Sequence, residues 1–232
     1  MNSQRILYTT FFLSILLLSC NNNEKLYEEA KAFEKQGNYK KSIELLDVVI
    51  KVDPENVYAL FDRAVDKSMI NDFTGAISDY DLVIELYPDN PIAFLNRGKN
   101  KSRLGKYKEA IEDYNSAIDL KGSETFYLNK TENSIFENGY EFDATMEEIR
   151  FERGFSRYKI DSLIKSFEDL SFCIDKSYEL GFCYLWRAHI YNAFEQNREC
   201  CLDLEFSEKF GNKEASDWIE KLCNKINKNV AQ

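Results

Sequence analysis

The sequence predicts an all-α solenoid of stacked helix pairs, and three observations carry that expectation. A short motif returns four times: Arg63-Ala64, Arg97-Gly98, Arg153-Gly154 and Arg187-Ala188 are each followed, sixteen residues after the arginine, by Asp79, Asp113, Asp169 and Asp203. The arginines step by 34 (97 − 63), 56 (153 − 97) and 34 (187 − 153) residues. A period near 34 is that of a helix–turn–helix unit that buries its apolar face only against its neighbours. Between the motifs, apolar residues recur at helical spacing and are interrupted by Gly or Asn. Only nine glycines and three prolines occur, too few for a turn-rich all-β chain.

Each unit can be justified in order. Unit one, about 23–56, carries Tyr27, Ala30 and Phe33 on a first stripe, breaks at Gly37-Asn38, resumes with Ile43, Leu46, Val49 and Ile50, and stops at Pro54. Unit two, 57–90, repeats the pattern with Leu60, Ala64, Phe73, Ala76, Tyr80, Val83 and Pro88. Unit three, 91–124, has Phe94, Gly98, Gly105, Tyr107, Ala110, Tyr114 and Ala117. Unit four, about 147–180, keeps Gly154, Ser166, Leu170 and Cys173 in the matching slots without the closing proline. Unit five, about 181–214, keeps Ala188, Cys200 and Leu204. Ala215, Trp218, Ile219, Leu222 and Ile226 then share one stripe, as expected of a capping helix and tail over 213–232.

These Gly, Ala, Tyr and Pro spacings resemble tetratricopeptide repeats. The resemblance implies a right-handed superhelical solenoid of antiparallel helix pairs with a C-terminal cap, repeats 1–3 filling 23–124 and more degenerate repeats 4–5 filling 147–214. The 22 extra residues (56 − 34) between repeats three and four fall at 122–146. Two readings stand there: a decayed repeat packed on the solenoid, or an inserted element lining a binding surface.

Residues 1–20 form a different kind of segment. Arg5 precedes an apolar run from Ile6 to Leu18, too short for a comfortable membrane span but suited to a secretory signal core. It ends in Leu17-Leu18-Ser19-Cys20, which resembles the bacterial lipobox. That resemblance implies cleavage after residue 19, lipidation of Cys20 and attachment to a bacterial envelope membrane, facing the periplasm, the outer membrane being favoured because no aspartate follows the cysteine. Without the signal the chain holds 29 basic (30 − 1) and 40 acidic residues, a charge of −11. Phosphate backbones repel such a body, so nucleic acid is not an expected partner.

The arginine–aspartate pattern reads as structure rather than chemistry. Arginine on the first helix of a pair and aspartate on the second can meet as a fork against a carboxylate, and four copies argue against catalysis. The cysteines read similarly. Cys173, Cys183, Cys200 and Cys201 fall in slots filled elsewhere by Val83 and Ala117, by Ala59, Ala93 and Ile149, by Ala76, Ala110 and Ser166, and by Ile77, Ile111 and Phe167. Packing accounts for all four, while their clustering leaves one disulfide open, Cys201 to Cys223. Metal-site spacing is absent and His189 is the single histidine, so no metal, cofactor, small-molecule substrate or catalytic set is expected.

The first helices carry a second apolar stripe beyond the one that packing needs. It runs through Tyr58, Phe61 and Val65; Ile92 and Leu95; Phe151, Phe155 and Tyr158; then Phe182, Leu185 and His189, with Lys99 and Arg103 on the same face. The tetratricopeptide resemblance places these positions along a concave groove that docks a peptide or a partner's helix. The competing account is that they pack against neighbouring helices. The expected function is therefore a membrane-anchored docking module for a protein or peptide; the alternative is an architectural subunit of an envelope complex.

Overall fold

The computed structural model describes residues 22–122 and 144–223; the signal segment, Cys20, nearly all of the 122–146 insertion and the tail after 223 lie outside the described residues. The chain divides into two compact units, Met1–Pro88 and Asp89–Gln232. Among the described residues every regular element is helical, and none is long and apolar enough to cross a membrane.

The first unit holds α1 (22–35), α2 (Tyr39–Val52), α3 (Val57–Met69) and α4 (Phe73–Leu86). The second holds α5 (Pro91–Arg103), α6 (Tyr107–Gly122), α7 (Met146–Lys159), α8 (Leu163–Asp175), α9 (Leu180–Ala193), α10 (Asn197–Lys209), the short α11 (Glu214–Trp218) and a π turn, Ile219–Cys223. Consecutive helices pack as pairs: α3 on α4, α5 on α6, α7 on α8 and α9 on α10. The chain is thus an all-α array of antiparallel helix pairs.

The turns inside the pairs explain why the period is kept. Gly37, Asn71, Gly105, Asp161 and Glu195 stand 34, 34, 56 and 34 residues apart and all have positive φ. A residue in that conformation just past a helix lets backbone N–H groups close on the last turn, as Asp72 N does on Lys67 O and Gln196 N on Tyr191 O. Where the following residue is Asn38 or Asp72, its side chain accepts from the next helix's N-terminal backbone. Glu195 has no side-chain reason to be left-handed, whereas glycine takes φ 59 without steric strain. Glu195→Gly is expected to stabilise the chain by about 0.5–1 kcal/mol, the relief of strain being partly offset by unfolded-state entropy. The thermal midpoint should rise by roughly 1–4 °C; an unchanged or lower midpoint would refute this.

Small residues set the helix crossings. Gly98 lies against the Tyr114 ring and Gly154 against Asp169 and Leu170, while Ala64 and Ala188 in the same register are fully buried. In the first unit, Ala30, Leu46, Val49 and Ala59 form a core. In the second, Leu95, Ala110, Tyr114, Ala117 and Ile149 form one, Leu170, Cys173, Cys183 and Ile190 another, and Leu185, Ala188, Cys200, Leu204 and Ala215 a third. Cys173, Cys183 and Cys200 are free and buried, in keeping with their apolar slots. Cys201 is bonded to Cys223, which closes the alternative that spacing left open.

One expectation differs in detail. A single capping helix would run through Leu222, yet within the described residues α11 stops at Trp218 and gives way to a π turn. The wider turn adds a residue per revolution. It delivers Ile219, Leu222 and Cys223 together onto the core beneath α10.

Candidate partner-binding surface

The four arginines meet their aspartates in one geometry. Arg63 donates Nε to Asp79 Oδ2 at 2.9 Å and Nη2 to Oδ1 at 2.7 Å. The matching distances are 3.1 and 2.6 Å for Arg97–Asp113, 2.9 and 2.7 Å for Arg153–Asp169, and 2.7 and 2.9 Å for Arg187–Asp203. All four aspartates are buried. A second cation joins three of them: Lys67 to Asp79, Lys101 to Asp113 and Arg157 to Asp169. The fifth repeat puts Tyr191 in that slot, and burial raises the Asp203 carboxyl despite Arg187. The remaining arginine nitrogen reaches back: Arg63 Nη1 to Asp47, Arg153 Nη1 to Asn115 and Arg187 Nη1 to Ser171. These links join a repeat to the one before it, so the arginines set register along the array as well as within a pair. Nothing in this arrangement positions a nucleophile or a general base.

The predicted groove residues separate into three groups. Phe61, Leu95 and Leu185 are corrections: all three are almost fully buried and belong to packing. Phe61 meets Tyr80 edge-on at 5.5 Å, Leu95 packs with Tyr114 and Ile149, and Leu185 with Ala188 and Leu204. A second group is placed but not gathered. Tyr58 and Val65 are half-buried on α3, Ile92 packs beside Leu95, and Arg103 is exposed. Lys99 pairs with Glu148 at 2.9 Å, and Phe151 meets Tyr178 edge-on at 5.9 Å. Phe182 is exposed and lines a cleft of about 380 Å³ with Phe210, Gly211 and Asn212.

The third group forms a surface. Phe155 and Tyr158 of α7 both contact Trp186 of α9, with ring centroids 5.2 and 5.1 Å apart. Trp186 lies 5.6 Å from His189, which meets Trp218 of α11 edge-on at 4.7 Å. Each of the five residues is half-buried. The Lys159 ammonium rides over Phe155, Tyr158 and Trp186 at 5.1, 5.8 and 5.1 Å, and Lys221 over Trp218 at 5.7 Å. Burial lowers the pKa of His189, opposed by Glu214 and reinforced by Lys159. Burial likewise raises the Tyr158 hydroxyl. Such a wall offers large, rigid, amphipathic contact area, the composition that dominates protein interfaces.

Sequence reasoning missed Trp186, Lys159 and the part played by Trp218. Trp186 sits one position beyond the i, i+3, i+7 stripe, beside the buried Leu185, and Trp218 reads as a cap residue. The available signal was that aromatics cluster in the second half of the chain on positions flanking the stripe. Among the described residues no group of three or more His, Cys, Asp or Glu side chains could hold a metal ion.

Comparison with known proteins agrees with this architecture. Tetratricopeptide-repeat family profiles match residues 27–65 and 92–124. No curated protein matches in sequence. The fold is similar to the crystal structure of MamA, with a TM-score of 0.62 and 18% identity over 81% of this chain and 96% of that one. It is similar to YrrB, described as a TPR protein with an unusual peptide-binding site, with a TM-score of 0.65 and 12% identity over 85% and 91%. It is also similar to pilF of Pseudomonas aeruginosa, with a TM-score of 0.60 and 13% identity over 82% and 76%. At these identities the likeness speaks for the fold. Two matched repeats, five helix pairs turned at equivalent positions and this shared fold show that the chain carries tetratricopeptide repeats and has the architecture of a tetratricopeptide-repeat solenoid.

Proposed function

We propose that the chain is a lipid-anchored docking module of a bacterial envelope, without chemistry of its own, and that the wall Phe155–Tyr158–Trp186–His189–Trp218 receives a segment of a partner protein. The observation that carries this reading is the continuity of half-buried aromatic rings across α7, α9 and α11, with two ammonium groups laid over them. YrrB, of similar fold, is described as peptide-binding, which favours the same class of occupant. The signal core and the lipobox-like Leu17–Cys20 support attachment through Cys20, the outer membrane being preferred. A disulfide between Cys201 and Cys223 supports an oxidising compartment, because cytosolic thiols are normally kept reduced.

A second reading, a permanent architectural subunit, draws on another feature. Tyr184 stacks on Phe206 and Phe210 at 5.1 and 5.8 Å, and both phenylalanines are exposed. An architectural subunit would co-purify stoichiometrically through that face.

Site-specific photocross-linking in the native envelope separates the two. A photoreactive residue at Tyr158 should capture a discrete partner, and Phe155→Ala should reduce that adduct on the order of tenfold while the variant remains folded at the temperature of the experiment. A partner captured only from position 206, indifferent to Phe155→Ala, would overturn the docking role of the wall.

A further inference from the structure

The slot ten residues into each repeat's first helix holds Ala32, Asp66, Asn100, Ser156 and Ile190. In the first repeat, with no described helix pair before it, Ala32 is exposed. In the others the slot is buried: Asp66, Ser156 and Ile190 are 0% exposed and Asn100 is 4%. Asn100 donates its amide to Asn96 O at 2.8 Å, and Ser156 lies 3.4 Å from Ser102 Oγ. The second repeat alone places an ionisable group there.

Its surroundings offer Asp66 little compensation. Among the described residues neither carboxyl oxygen makes a well-formed hydrogen bond, and the Ser42 hydroxyl is the one side-chain donor that partly compensates it. The groups that face it are Lys31 and Glu34 of α1, Ser42 of α2 and Asp62 of its own helix. The Lys31 ammonium is drawn to the other two carboxyls: its Nζ lies 2.6 Å from Glu34 Oε2 and 3.3 Å from Asp62 Oδ2. Asp62 also accepts from the Tyr27 hydroxyl at 2.7 Å. Burial pushes the Asp66 carboxyl up to about 7; Glu34 and Asp62 push the same way, while Ser42 and Lys31 oppose them. A buried carboxylate so poorly compensated is costlier than the neutral acid.

We propose that Asp66 is a proton-controlled latch on the first repeat: with its proton, α1 and α2 close on α3, and without it that packing loosens. The sign follows from linkage. A carboxyl that holds its proton more tightly when packed than the ordinary 3.8 allows favours the packed state most in acid; that advantage falls as pH rises from about 4 toward 7 and is level above. The first repeat is thus the tighter one at pH 5 and the looser one at pH 8. The slot's own relatives show what lacks this behaviour: the third repeat solves the same position with asparagine.

The test is amide hydrogen exchange of the full chain at pH 5 and pH 8, corrected for the intrinsic chemical rate. Protection of α1 and α2 should fall on the order of 50-fold between these pH values in the wild type. In Asp66→Asn it should change by less than about threefold, while α9 and α10 report no difference between the two proteins. Titration of the wild-type Asp66 carboxyl carbon by NMR needs no variant and should show a midpoint near 7. Equal pH dependence in wild type and Asp66→Asn, or a carboxyl midpoint below 5, would overturn the latch.

Discussion

Replacing Asp169 by alanine is expected to destabilise the second unit by about 3–5 kcal/mol, the largest effect of any exchange considered for this chain. Asp169 is 1% exposed and accepts three charged hydrogen bonds, Nε and Nη2 of Arg153 at 2.9 and 2.7 Å and Nη1 of Arg157 at 2.7 Å. The penalty does not equal the worth of the ion pairs. Desolvation largely offsets their attraction, so the triad adds little over an apolar filling. Removing the carboxylate alone strands two guanidiniums whose side chains are only 12% and 13% exposed. Glu168→Ala, on the exposed face of the same helix, should change stability by less than about 0.5 kcal/mol. Urea unfolding of the two variants decides the matter, and similar midpoints would remove the structural role assigned to the pairs. Asp203→Ala should be milder, because Tyr191 stands where the second cation would be and Arg187 alone is left unpaired.

Removing the disulfide should cost roughly 3 kcal/mol, on the chain-entropy account for a crosslink spanning 22 residues. The bond joins α10 to the π turn and so fixes α11, which carries Trp218 into the aromatic wall. Its loss is therefore expected to loosen the cap first and to shift Trp218 fluorescence before global unfolding. In the wild type a reductant should lower the thermal midpoint, and Cys201→Ala/Cys223→Ala should start from the lower midpoint and ignore reductant. Thiol titration of the unfolded, unreduced chain from Asn21 onward should find three free thiols, Cys173, Cys183 and Cys200. Five would contradict the bond.

Much of the fold was legible because a repeat protein states its pattern several times over. The step of 34 residues, once widened to 56, located the helix pairs among the described residues, and the arginine and aspartate found each other because the same sixteen-residue interval spans a helix, a turn and the facing helix. The candidate surface was less legible for a physical reason. Periodicity tells which side of a helix a residue occupies, but not which neighbour covers that side. Phe61, Leu95 and Leu185 share the register of Val65, Lys99 and His189 to within one turn, yet the first three are buried and the others half-buried. Trp186 escaped notice because its indole reaches over the stripe from an adjacent position. The back-reaching bonds of Arg63, Arg153 and Arg187 were hidden because their partners differ in type: Asp47, Asn115 and Ser171. The disulfide stayed open because spacing alone does not set pairing.

Four arginines held in equivalent, carboxylate-locked sites define the repeat. Side-chain ¹⁵N NMR of the arginine Nε–H groups tests it most directly. Four slowly exchanging signals are predicted for Arg63, Arg97, Arg153 and Arg187, each lost when its own aspartate is replaced by asparagine and unmoved by the other three replacements. Signals for these residues that exchange as fast as that of the exposed Arg198 would contradict it.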